Sequence, residues 1–153
     1  MKWAAVRSKE MEKLLEKYAV SLSKKDLVQQ GTVEGFTLVS INKQPAFFYY
    51  QNRLIPMLNY LQNFPLLKKV VIDQGAIKFI VNGADVMRPG IVSIEEGIQK
   101  DEAIMVIDVV HQKPLAVGIA LYGSEEMKAM TKGKVIKNIH YVGDEIWKMC
   151  KES

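Results

Sequence analysis

Asn82-Gly83-Ala84-Asp85-Val86-Met87-Arg88-Pro89-Gly90-Ile91 is the stretch on which the fold turns. Just before it, Asp73 can cap a helix that points Ile77, Ile80 and Val81 inward. Asn82-Gly83 ends that helix, because glycine takes the left-handed exit without a Cβ penalty. Asn82, Gly83 and Ala84 are all small, so backbone here can come close to a phosphate or a base edge. Arg88 adds a planar guanidinium, which suits phosphate or a guanine edge. Pro89-Gly90 stiffens the exit and turns it into a strand. A helix cap followed by a tight turn demands these same residues, so alone the stretch establishes only a loop.

Downstream, Ile91 to Ile94, Ala103 to Val110, Leu115 to Leu121 and Lys134 to Tyr141 read as strands. His111-Gln112-Lys113-Pro114 joins the middle two as a hairpin. Ser124 can cap a short helix through Met130, with Glu125 and Glu126 at the positive end of its dipole. Gly143 to Lys151 reads as a last helix. Upstream, Val70-Val71-Ile72 is a short strand. Short strands interrupted this irregularly by helices suggest a small open barrel rather than a doubly wound sheet.

The first half divides differently. Ser8 can cap a helix with Met11, Leu14, Leu15 and Tyr18 on one face and Lys9, Glu12, Lys13 and Glu16 opposite. Ser23-Lys24-Lys25-Asp26 has the look of a capping box, and the short helix it would start stops at Gly31. Thr32 to Ile41 and Ala46 to Gln51 are strand-like around Asn42-Lys43-Gln44-Pro45, which makes a hairpin. Pro56 suits the first turn of a helix holding Met57, Leu58, Leu61 and Phe64, ended by Pro65. The boundary falls near Leu66 to Lys69, which lacks the Gly and Ser of a flexible linker. The fold class is α+β: a small unit over 1–68, expected to pack closely on a second unit over 69–153.

The 153 residues are 48% hydrophobic and 25% charged, which suits a globular core and argues against disorder. No apolar run is long enough to span a bilayer, and charge arrives too early at the N-terminus for a signal peptide. A cytoplasmic location without membrane association is expected. Cys150 is the single cysteine, so there is no internal disulfide and no Cys/His cluster for zinc. Neither a metal nor a cofactor is expected. The net charge is +4, but residues 1–68 hold 10 Lys/Arg against 5 Asp/Glu, and residues 69–153 hold 11 against 12. Basic excess attracts phosphates at long range.

Catalytic signatures are missing. There is no P-loop, no Gly-x-Gly-x-x-Gly and no Gly-x-Ser-x-Gly, and His111 and His140 lack the local partners of a metal or nucleophilic motif. Glu95-Glu96 reads as a solvated turn and Glu125-Glu126 as a helix start. No catalytic residues are assigned.

Four stretches in order carry a resemblance. They are Val71-Ile72-Asp73-Gln74-Gly75-Ala76, then Asn82 to Ile91, then Lys113-Pro114-Leu115-Ala116-Val117-Gly118-Ile119-Ala120, and lastly Gly133-Lys134 with His140-Tyr141-Val142-Gly143-Asp144-Glu145-Ile146-Trp147. Together they resemble a PUA domain, the RNA-binding module named after pseudouridine synthases and archaeosine transglycosylases. With a small unit in front, the chain looks like the archaeal relatives of the malignant-T-cell-amplified-sequence translation factors. Leu66-Leu67-Lys68-Lys69-Val70 fits that group, and residues 1–65 fit more loosely, through the Pro45 hairpin and Leu54-Ile55-Pro56.

The resemblance implies a PUA-type pseudo-barrel of mixed strands with short helices over 69–153. It also implies that the helix–strand loop and the last strand contact RNA, which makes Asn82, Gly83, Ala84, Asp85 and Arg88 candidates, with Lys78 on the preceding helix. Lys78 equally suits an exposed helix lysine. Lys128, Lys132, Lys134 and Lys137 follow one another with no acid between them. Lys134, Lys137 and His140 could line a phosphate-tracking edge beside Tyr141, and the same lysines could simply guard an edge strand. Tyr141 and Trp147 are expected to pack a core or a seam.

The expected function is non-catalytic binding of structured RNA, tRNA or ribosomal RNA, in translation initiation, recycling or ribosome function. A translation factor or ribosomal protein is an expected partner. The alternative is a protein-interaction adaptor of the translation or RNA-modification machinery with little RNA affinity. Phe47-Phe48-Tyr49-Tyr50 motivates it, since a strand puts two of these aromatics on each face.

Overall fold

Strands dominate both halves because β-branched and aromatic residues cluster in short runs, joined in the first half by two-residue turns. The computed structural model describes residues 2–152. It divides into two compact units, one running to Leu66 and taking in the chain from Lys148, the other spanning Leu67–Trp147.

The first unit holds β1 (Trp3–Ala5), α1 (Ser8–Leu14), a 3-10 turn at Glu16–Tyr18, β2 (Val28–Val33), β3 (Phe36–Ile41), β4 (Gln44–Tyr50), β5 (Arg53–Pro56) and α2 (Leu58–Leu61). The strands form an antiparallel meander in chain order. Its hairpins turn at Glu34-Gly35, Asn42-Lys43 and Gln51-Asn52, and all six of these residues have positive φ. That backbone twist matches the twist of the flanking strands. Met11 and Leu15 pack with Val28, Val39, Ala46, Phe47 and Leu54 to make the core.

Several local expectations change here. Ser8 opens α1 without capping it; Arg7 holds the cap position and gives no side-chain bond. Ser23–Asp26 is a turn and starts no helix. The Asp26 carboxylate accepts from the Ser23 backbone at 2.8 Å and the Asn42 amide at 3.0 Å. The chain then enters β2, where pairing with β1 and β3 satisfies more backbone than one turn of helix could. Gly31 therefore lies within a strand, where a Cβ would come within 2.9 Å of the Lys2 carbonyl. Pro56 ends β5, and α2 is confined to Leu58–Leu61. Phe47 and Phe48 are both fully buried, so β4 presents no exposed phenylalanine face.

The second unit holds β6 (Lys69–Ile72), α3 (Gln74–Ile80), β7 (Val86–Met87), a 3-10 turn at Arg88–Gly90, β8 (Ile91–Ile94), β9 (Ala103–Asp108), β10 (Pro114–Ala120), α4 (Ser124–Ala129) and β11 (Lys134–Tyr141); α5 (Glu145–Glu152) begins in it. Its sheet runs β7-β11-β10-β9-β6-β8, and only β6 and β9 pair in parallel. This mixed sheet curls into a nearly closed pseudo-barrel around Val70, Ile72, Ile104, Val106, Val135 and Ile136. Ser124 is the first residue of α4, after Gly123 at the cap position. Its hydroxyl accepts from the Ile98 backbone at 2.8 Å and donates to the Glu95 carbonyl at 2.7 Å, tying the 95–98 segment to α4. Asp108 anchors the β9–β10 loop by accepting the backbone N–H groups of His111 and Lys113. Burial opposes its ionisation, but these N–H groups prevail and hold its pKa below the usual carboxylate value. No helix among the described residues is long and apolar enough to cross a membrane.

Candidate nucleic-acid interface

The Asp73 carboxylate caps α3, accepting from the Ala76 backbone at 3.0 Å. At the other end the helix closes through Gly83 N–H to the Ile80 carbonyl at 3.0 Å and Ala84 N–H to the Phe79 carbonyl at 2.9 Å. Gly83 has φ +93°, and a Cβ there would sit 3.1 Å from the Tyr141 hydroxyl. The exit is thus both left-handed and pressed against β11. Asn82 donates its amide to the Lys78 carbonyl at 2.7 Å, completing the end of the helix.

Asn138 on β11 is the brace that sequence reading missed. Its amide donates to the carbonyls of Ile80 at 3.1 Å and Ala84 at 3.0 Å, and its backbone N–H reaches Asp85 at 2.8 Å. Nothing local marks it, because its partners lie 53 to 58 residues away. Asp85 also meets the Lys134 ammonium at 3.0 Å. Partial burial works against the charge on Asp85, yet the Asn138 N–H and Lys134 outweigh it and lower its pKa.

Beside this braced exit lies an open groove of about 600 Å³ between α3, the 84–90 loop and the start of β11. Phe79, Ile80, Val86, Met87 and Pro89 make it largely apolar, with Asp73 and the Asp85–Lys134 pair as its charged side chains. Phe79 is 57% exposed and Met87 50% exposed. Large apolar side chains left open beside a hydrogen-bonding pair suit a flat heteroaromatic ring. Neither had been singled out from sequence, where an exposed phenylalanine on a helix looks like any core residue.

Of the candidate residues, Ala84, Asp85 and Lys134 line the groove, while Asn82 and Gly83 shape its end. Lys78 is exposed on α3, its ammonium 5.1 Å from the centroid of the Phe79 ring. Lys137 is exposed on β11, opposite Ile119. Arg88 is half-buried and partly committed to the fold: its Nε donates to the Met127 carbonyl at 2.7 Å and its backbone N–H to Gly133 at 2.8 Å. Lys128 is bound to Glu96.

His140 must be corrected. It is completely buried, with Nδ1 2.9 Å from Asp144, and so cannot present its ring to RNA. Strand alternation turns its side chain inward, and Asp144 holds it there. Asp144 also accepts the N–H groups of Tyr141 and Trp147, which fastens the start of α5. Burial disfavours the Asp144 charge, but His140 and these N–H groups prevail, and its pKa is lowered. Tyr141 is half-buried against the barrel core, and Trp147 is also half-buried. Among the described residues, no group of three or more His, Cys, Asp or Glu could hold a metal ion.

Comparison with known proteins fits this geometry. A PUA domain model matches residues 68–142. An uncharacterized protein of Methanocaldococcus jannaschii is 44% identical over 140 residues, covering 91% of this chain and 86% of that one. The chain belongs to the PUA domain family. In front of the PUA match, residues 7–63 match a domain of unknown function, DUF1947. Translation machinery-associated protein 20 of Schizosaccharomyces pombe is 33% identical over 135 residues, 84% of this chain and 75% of that protein. Malignant T-cell-amplified sequence 1 of Rattus norvegicus is 31% identical over 121 residues, 76% and 66% of the two chains. A hypothetical protein of Pyrococcus horikoshii superposes with a TM-score of 0.87 at 30% identity, covering 97% of this chain and 99% of that one. The chain also superposes on a chain of an H/ACA ribonucleoprotein bound to a substrate RNA, with a TM-score of 0.51 at 26% identity over 63% of this chain and 29% of that one. Two family models thus match this chain in succession, and relatives named for the translation machinery align over most of it.

Proposed function

We propose that this PUA protein is a non-catalytic RNA-binding protein of translation, acting in the cytoplasm on tRNA or ribosomal RNA. The observation that carries the reading is the groove: exposed Phe79 and Met87 beside the Asp85–Lys134 pair. An unpaired base stacks on the apolar wall, and exposed lysines such as Lys78 and Lys137 meet phosphates. Relatives named for the translation machinery support the setting, and so does the RNA-bound neighbour. A translation factor or ribosomal protein is the proposed partner. The adaptor reading keeps only part of its motive, because Phe47 and Phe48 are buried while Tyr49 and Tyr50 are half-buried.

Filter binding to unfractionated tRNA and to small-subunit ribosomal RNA, at two salt concentrations, tests this. Binding that weakens with salt, and that falls about tenfold or more when Phe79→Ala removes one stacked base, is expected. No detectable binding of either RNA at low salt overturns the proposal.

A further inference from the structure

The two units handle their charge differently. In the second, Lys68 meets Glu102 at 2.9 Å, Lys134 meets Asp85 at 3.0 Å, and Lys128 is bound to Glu96. Among the described residues, Lys9, Lys13, Lys17 and Arg53 of the first unit enter no such ion pair. Two nearby acids are turned to other work. Glu12 accepts the Leu22 backbone N–H at 2.7 Å, and Asp26 serves Ser23 and Asn42. The basic excess of residues 1–66, 9 Lys/Arg against 5 Asp/Glu, is left largely unneutralised.

These cations are also gathered. Lys9 and Lys13 lie one turn apart and line a shallow hollow with Glu12 and Glu16. Lys13 and Lys17 share the adjoining hollow with Leu14 and Glu16. Tyr18 donates its hydroxyl to the Leu54 carbonyl at 2.6 Å, which draws the 3-10 turn to β5, the strand that carries Arg53. The Lys17 ammonium lies 5.1 Å from the Tyr18 ring centroid. Burial first, and then repulsion from Arg53, lower the pKa of Lys17. A bound anion would relieve that repulsion.

We propose that Lys9, Lys13, Lys17 and Arg53 form a second binding ridge, on the pre-PUA unit, for the phosphates of an RNA backbone. The inference rests on the RNA-binding reading above. Exposed lysine ammoniums at Lys9 and Lys13 on α1 and at Lys17 in the following 3-10 turn suit a row of phosphates and carry no base information. Lys9, Lys13 and Lys17 are exposed, and the hollow that holds Lys9 and Lys13 is shallow and lined mostly by charged side chains, which favours a polyanion over an apolar protein segment.

The test uses the full chain carrying K9Q, K13Q, K17Q and R53Q together, with K100Q/K113Q of the second unit as control and F79A as the groove variant. Circular dichroism melts verify folding. Binding to unfractionated tRNA and small-subunit ribosomal RNA is measured from 50 to 200 mM salt. Each lost phosphate contact reduces the slope of log affinity against log salt by about 0.7 to 0.9, so the quadruple variant should flatten it by about 3, while the control leaves it unchanged. If the parent binds and the quadruple variant keeps its slope, the ridge is wrong and the RNA reading stands. A quadruple variant that flattens the slope while F79A has no effect supports the ridge and overturns the groove. If the parent binds neither RNA, both fall.

Discussion

Replacing Gly83 by alanine should destabilise the PUA unit, while the same replacement at Gly75 should not. Gly83 has φ +93°, a region that costs an L-residue about 1–2 kcal/mol. The new Cβ would also stand 3.1–3.2 Å from three atoms of Tyr141. That ring cannot swing away freely, because it packs on the barrel core and its backbone is tied to Asp144. Together the two effects come to about 2 kcal/mol. Gly75 lies in α3, and its Cβ would meet only the Asp73 carboxylate at an ordinary 3.4 Å. Alanine there should gain about 0.5–1 kcal/mol from helix propensity. Urea unfolding followed by the fluorescence of Trp3 and Trp147 together separates the two variants. With a slope of about 1 kcal/mol per molar, the Gly83→Ala midpoint should fall by about 2 M and the Gly75→Ala midpoint should rise slightly. A Gly83→Ala midpoint at or above that of the parent would refute the account of a strained, β11-pressed helix exit.

Two further outcomes follow from the same contacts. Asp85→Asn should release Lys134 to phosphates, steepening the salt dependence of RNA binding by about one phosphate's worth, 0.7–0.9 in slope; an unchanged slope would place Lys134 outside the contact. Asp108 and Asp144 have lowered pKa values, so the stability they confer is fully present above the ordinary carboxylate pKa of about 3.9 and is lost as pH falls through their lower folded values. The melting temperature of the PUA unit should therefore hold from neutral pH down to about pH 4 and drop below it. Asp144→Asn should melt lower at pH 7 and show a shallower acid decline; an acid decline as steep as the parent's would remove Asp144 from that role.

Legibility from sequence followed the range of the interactions. Asp73 capping α3 and the left-handed Gly83 are local events, and local residue types announce them. The β11 boundaries, Lys134–Tyr141, were equally plain from residue type and turns. Ser23–Asp26 misled because a helix cap and a side-chain-braced turn use the same residues. Asn42, 16 residues on, decided between them. His140 misled because a one-residue difference in facing separates a solvent-exposed imidazole from a buried one. Asn138, Phe79 and Met87, which brace and wall the groove, drew no notice, since their roles arise only when β11 lies against α3 and β7. The PUA resemblance located the loop correctly within the chain but could not say which of its side chains are committed to the fold, as the Arg88 Nε is to Met127.

The two sheet orders imply two different folding schedules. The first sheet is a meander in which every strand pairs with its neighbour in sequence. Its longest step is the pairing of β1 with β2, and the remaining ladders close across two-residue turns. Such low-contact-order pairing is fast and can proceed as the chain leaves the ribosome. The second sheet cannot do this. β7 at Val86–Met87 waits for β11 at Lys134–Tyr141, and β6 waits for β9 across the α3 and β8 region. The groove wall formed by Lys134 thus appears only once β11 has been made. A nascent chain halted after β10 would have its first sheet in place and its braced α3 exit missing.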